Sequence, residues 1–239
     1  MCFSETASYA VGAACVCAGL YSAAKCPSPT YLPLAVIPFV FGIHQITEGL
    51  VWHAMNADPG ASARGIAPML FAFIATVFWP VFVPFAVFST EQDGARKKLL
   101  ALLVGIGALV SLAYFVRLLN ADISAGVSGH SVVYTSRLSE TSALPPWLYS
   151  GAQGGSDWLL VPYAASTIGS LALARLQAVR LFAFFVALAL VFLMLISQAT
   201  LVSVWCFFAA SGSLMILPAI LEARLKSGPA LNLVRPGAG

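Results

Sequence analysis

The sequence predicts an all-α, polytopic transmembrane bundle of seven helices, with six as the fallback if one crossing lies only at the interface. Three observations carry that reading. Of 239 residues, 60% are hydrophobic and 9% are charged, against about 25% charged in an ordinary soluble domain. Apolar runs of roughly 18 to 25 residues, each long enough to cross a bilayer, recur along the chain. Nothing of similar length is left for a soluble domain. Residues 1–226 are therefore expected to form one membrane domain with an outer-side loop at 120–156, and 227–239 to be a flexible tail.

The expected spans are 8–25, 31–54, 65–89, 98–119, 157–175, 178–197 and 201–223. The first is rich in Ala, Gly and Ser and lacks the basic start of a secretory signal, so it reads as a retained helix. The second carries FGIHQITEGLVWH at 41–53, the most polar stretch inside an apolar run. The third contains FWPVFVPFAVF, where Pro80 and Pro84 each remove an intrahelical donor and kink the helix. Pro38, Pro162 and Pro218 do the same in the second, fifth and seventh, as packing devices or as the breaks of a broken-helix binding site. The 120–156 connection is long for a bundle loop. It is expected to act as a lid or to cover helix ends, with an interfacial segment at PPWLY.

Charge in the short loops sets the orientation. Lys25, then Arg96, Lys97 and Lys98, then Arg175 and Arg180, then Arg224, Lys226 and Arg235 share one side, with Arg64 and Arg137 on the other. By the positive-inside rule the N-terminus faces out and the C-terminus is cytoplasmic. The net charge of +3 comes from thinly spread basic residues without interleaved aromatics, which argues against nucleic acid as a partner. The lipid bilayer is the expected partner. Small residues in the first and seventh helices would permit close helix contacts within the bundle or in a homo-oligomer. Cysteines stand at 2, 15, 17, 26 and 206 without a CxxC pattern. Cys15, Cys17 and Cys206 fall in apolar runs and are expected to pack as small hydrophobes.

Polar groups gather in the outer half. His44 stands roughly 20 Å above Tyr31, and Glu48 follows one turn later on the same face. Glu5, Arg117 and Asp157 are expected at the same end, whereas the inner halves of the helices carry almost no ionisable groups. A charge pathway would need polar groups through the full thickness, so the pattern favours an outward-facing pocket. His44 and Glu48 are the candidate catalytic pair. Three chemistries compete for them. His44 and Glu48, with Cys2 as a further ligand, could hold a divalent metal such as Zn²⁺ and activate water for hydrolysis. Glu48 and His44 could instead act metal-free as base and partner, with Arg117 stabilising an anion. Alternatively, His44, Gln45, Glu48 and Arg117 form a hydrogen-bonded network that only packs helices. A ligand-binding or small-solute transport pocket would use the same groups together with Cys2, Trp52, His130 and Asp157. Cys2, once the initiating Met is removed, offers a free amine beside its thiol. Retinal is excluded because the seventh helix has no lysine, and haem would need His130 to reach down to His44.

The opening MCFSETASYA followed by YLPLAVIPFVFGIHQITEGLVW resembles an uncharacterised family of bacterial integral membrane proteins whose members begin Met-Cys-Phe-Ser-Ala. Here Glu5 replaces the usual Ala, and His44 stands where the family often has Gln. The resemblance implies a bacterial inner-membrane location and interest in Cys2, Ser4, Glu48 and Trp52. It places Glu48 ahead of His44, and it supplies no activity.

Overall fold

The computed structural model describes residues 4–58, 62–138, 157–196 and 198–227. Helix α1 spans Glu5–Ala24 and starts at Ser4, whose side chain accepts the Ala7 N–H at 3.2 Å. Its buried residues are Ser8, Gly12, Cys15, Gly19 and Ser22. They recur at alternating steps of four and three, and all are small, so a neighbouring helix can approach the backbone closely. That neighbour is α3 (Ile37–Ala57), and a Cβ built on Gly42 would lie 2.8 Å from the Gly12 carbonyl oxygen.

The second crossing opens with a 3₁₀ turn at Pro29–Tyr31 and a short α2 at Leu32–Ala35, then breaks at Val36 before α3. Pro38 cannot donate to the Leu34 carbonyl, which accounts for the break. In the third crossing, α4 (Ile66–Phe73) leads into a π-helical segment at Ile74–Phe78 and then α5 (Trp79–Thr90). Pro80 can donate neither to Thr76 in an α turn nor to Ala75 in a π turn, so the bonding pattern shifts just ahead of it. Pro84 likewise leaves the Pro80 carbonyl without its i+4 donor. Helix α6 (Gly94–Leu119) comes down on that carbonyl, and a Cβ on Gly107 would stand only 1.8 Å from its oxygen.

The connection after α6 departs from an all-α expectation. A short β1 (Ala63–Arg64) pairs antiparallel with β2 (Ala121–Ser128), which pairs antiparallel with β3 (Ser131–Leu138). Register runs from Ala121 opposite Leu138 to Ser128 opposite Ser131. Gly129, at φ 61°, takes the first position of the two-residue turn, where a primed hairpin turn needs a positive φ. The segment read as a loop is thus partly a hairpin, because SVVYTS is rich in β-branched residues and follows a Gly-containing turn. The PPWLY segment lies outside the described residues, as do Cys2 and the 228–239 tail.

The chain continues as α7 (Leu160–Leu173), α8 (Gln177–Ile196), α9 (Leu201–Ser213) and α10 (Ile216–Ser227), the last two separated by a turn at Leu214–Met215 ahead of Pro218. Among the described residues six helical segments are long and apolar enough to span a membrane, and the 14-residue Leu160–Leu173 is shorter. The short helix therefore falls at the fifth expected span, while the first, poor in large apolar residues, is a full-length helix. Leu109, Phe184 and Leu195 point outward with many other large apolar side chains, as a multi-pass protein in lipid requires. Cys15 and Cys206 are buried, whereas Cys17 lies on the bundle exterior instead of packing inside.

Two neighbouring glycines of α6 test this packing. Gly107→Ala must push α6 off α5 and lower the thermal midpoint in detergent markedly. Gly105→Ala, with nothing within 4 Å of its added Cβ, holds or raises the midpoint, since Ala is favoured over Gly in a helix by about 1 kcal/mol.

Candidate functional site

Four elements converge at one end of the bundle: the second half of α3, the later part of α4, the start of α9 and the hairpin. Glu48, only 2% exposed, is held between α3 and α9. Ser203 donates to its Oε1 at 2.5 Å and the Gln45 amide donates to its Oε2 at 3.3 Å. His44 shares that helix face but turns to α4, where its Nε2 lies 3.2 Å from the Phe71 carbonyl oxygen. A carbonyl only accepts, so this contact assigns the hydrogen to Nε2 and leaves Nδ1 of the neutral ring as an acceptor.

Phe71 links the helices to the hairpin. Its ring packs on His44 with centroids 4.3 Å apart and stacks on Tyr134 at 4.2 Å with planes 2° apart. Tyr134 thereby carries its hydroxyl from β3 into the bundle. Burial, reinforced by the nearby Glu48 and Cys206, pushes that phenol well above its ordinary value of about 10. His44 Nδ1, Gln45 Oε1 and the Tyr134 hydroxyl are buried and have no hydrogen-bond partner among the described residues.

A second polar cluster lies at the junction of α6 and α7. The Arg117 guanidinium and the Tyr114 hydroxyl both donate to Asp157 Oδ2, at 2.8 and 2.7 Å, and the Leu159 N–H donates to Oδ1 at 3.1 Å. Arg117 is 5% exposed, so the ion pair is what makes its burial tolerable. A third cluster ties the helix ends at the rim. Glu5 accepts from Asn56 at 2.8 Å and contacts His53 Nδ1 at 2.9 Å, joining the start of α1 to the end of α3.

These positions sort the sequence candidates. Glu48, Gln45 and His44 belong together on α3, as their spacing predicts. Arg117 and Asp157 pair with each other, and the aromatic rings of Tyr114, Tyr163 and Trp205 follow one another from their cluster into the bundle. His130 sits exposed at the hairpin tip, and Trp52 packs under the hairpin with Val51, Met55, Ala125 and Val132. Metal binding finds no support: among the described residues no three His, Cys, Asp or Glu side chains gather as a metal site. The reason is geometric, because His44 and Glu48 diverge toward α4 and α9. Cys2, the expected third ligand, lies outside the described residues.

Ser203 and Tyr134 were not among the sequence candidates. A lone serine in LVSVWCFF and the tyrosine of a β-branched run were the available signals. Sequence also missed Glu91, 3% exposed at the opposite end of the bundle. There it accepts the Gln92 and Asp93 N–H groups at 2.8 Å each and lies 3.7 Å from Arg175.

Compared with known families, residues 1–230 match the family of unknown function DUF6629, and the chain belongs to it. No curated protein and no solved structure matches it.

The buried ion pair generates a cycle. Asp157→Asn removes the charge facing Arg117 and is expected to cost about 3 kcal/mol or more. Adding Arg117→Met to that variant recovers part of the loss, read as a positive coupling in thermal or denaturant unfolding in detergent.

Proposed function

We propose, for this member of a family without an assigned activity, that the protein binds a small hydrogen-bond-donating ligand at the hairpin-covered end of the bundle, with Glu48 as the principal acceptor. One observation carries the reading. His44 Nδ1, Gln45 Oε1 and the Tyr134 hydroxyl are all buried at this end of the bundle and lack protein partners among the described residues. Each such group costs about 1–3 kcal/mol when left bare. A cluster that served packing alone would be expected to pair them. Two of the three are acceptors, as are the carboxyl oxygens, so the complementary ligand donates.

The apolar exterior and the asymmetry of Lys and Arg support a bacterial inner-membrane protein with its N-terminus and the Glu48 end facing out. The hairpin then covers the site from the outer face, and Tyr134 is the residue through which it reaches the ligand.

Native mass spectrometry of the protein in nanodiscs tests the binding. Wild type retains a small non-lipid molecule, and Glu48→Gln lowers its occupancy about tenfold while the fold persists. A wild type that retains nothing, with Glu48→Gln as stable as wild type or more so, would make the cluster a packing network. Orientation has its own check: green fluorescent protein fused after residue 239 fluoresces in cells, and alkaline phosphatase at the same place stays inactive. The reverse pattern overturns the outward assignment.

A further inference from the structure

Between α3, α5, α7, α8 and α9 lies a small, partly open apolar pocket. Five aromatic residues, Phe41, Trp79, Tyr163, Phe182 and Trp205, are in its wall, and Phe41 stacks on Trp79 with centroids 4.0 Å apart. The lining contains no Asp, Glu, Lys, Arg or His, so a charged ligand would be desolvated without compensation.

Four lining side chains carry an N–H or O–H donor. The Tyr163 hydroxyl donates to the Ala75 carbonyl at 2.7 Å, Thr167 to the Tyr163 carbonyl at 2.9 Å, and the Trp205 indole to the Val186 carbonyl at 3.1 Å. The fourth is different. Trp79 is 3% exposed, and its indole N–H has no acceptor among the described residues. An indole nitrogen only donates, and a buried one ordinarily finds a partner.

The backbone holds this wall in place. Trp79 is the first residue after the π-helical segment Ile74–Phe78, and such insertions recur at functional sites. The bond from Tyr163 to Ala75 ties α7 to that same segment.

We infer that the cavity binds a neutral, lipid-soluble ring compound carrying a hydrogen-bond acceptor, which the Trp79 indole N–H engages. The aromatic walls select a flat apolar body, and the unpaired N–H selects an oxygen acceptor on it. Glu48, His44, Gln45 and Tyr134 do not line this pocket, and the inference stands whether or not their cluster binds a ligand.

Two probes that share a bicyclic skeleton test it: 1-tetralone, which has a ketone, and tetralin, which lacks one. Calorimetric titration of the full chain in nanodiscs, corrected for partition into empty discs, gives both affinities. Tetralone binds wild type about tenfold more tightly than tetralin, and Trp79→Phe reduces that ratio to about twofold or less with tetralin affinity retained. Ala209→Leu, which narrows the cavity from α9, weakens both probes. Equal affinities in wild type, no saturable binding of either probe, or a preference that survives Trp79→Phe would overturn the inference. The wild-type comparison reads the acceptor requirement without any variant, so a misfolded substitution does not remove the test.

Discussion

The pairing of Glu48 with Ser203 is the interaction on which the hairpin-covered end of this bundle depends. A carboxyl group 2% exposed inside a membrane-spanning helix must have partners, because a buried ionisable group left alone costs several kcal/mol. Ser203 supplies one from the last crossing and Gln45 supplies the other from the preceding turn of the same helix. That requirement positions α9 against α3. The adjoining His44, Phe71 and Tyr134 rings then bring in α4 and the hairpin as a continuous stack.

The third crossing contributes a different kind of organisation. Side chains from three other helices bond to its backbone carbonyls in and just before the π-helical segment. His44 meets the Phe71 carbonyl, Tyr163 that of Ala75, and Ser111 that of Val77. Gly107 lets α6 lie directly on the Pro80 carbonyl. A backbone irregularity is tolerable in lipid only when neighbours satisfy what it releases. The irregular helix thus becomes the strut against which α3, α6 and α7 are set. Trp79, at the end of the irregular segment, faces the cavity as a consequence of the same arrangement.

Much of this was legible in the residues. The apolar runs located the crossings, and the prolines at 38, 80 and 218 each stand close after a break or irregularity in their crossing. The i,i+4 spacing of His44 and Glu48 placed both on one face. The hairpin is less legible, because SVVYTS is short and sits in a connection between two apolar runs, although it is β-branched and follows the Gly129 turn. The metal reading failed for a reason that spacing does not reveal. Two side chains can share a helix face and still turn toward different neighbours.

By itself the sequence determined the membrane-spanning character and the uneven distribution of ionisable groups, because lipid demands continuous apolar segments and penalises unpaired charge at every depth. Those demands act along the chain and are written locally. Only the tertiary structure decided that Glu48 meets a serine 155 positions away, that Arg117 answers to Asp157, and that Tyr134 descends from a hairpin onto Phe71. Each of those partners is chosen by how helices approach one another. That approach is set by small residues such as Gly12, Gly42 and Gly107, whose missing side chains admit another backbone without specifying which side chains will face one another beyond it.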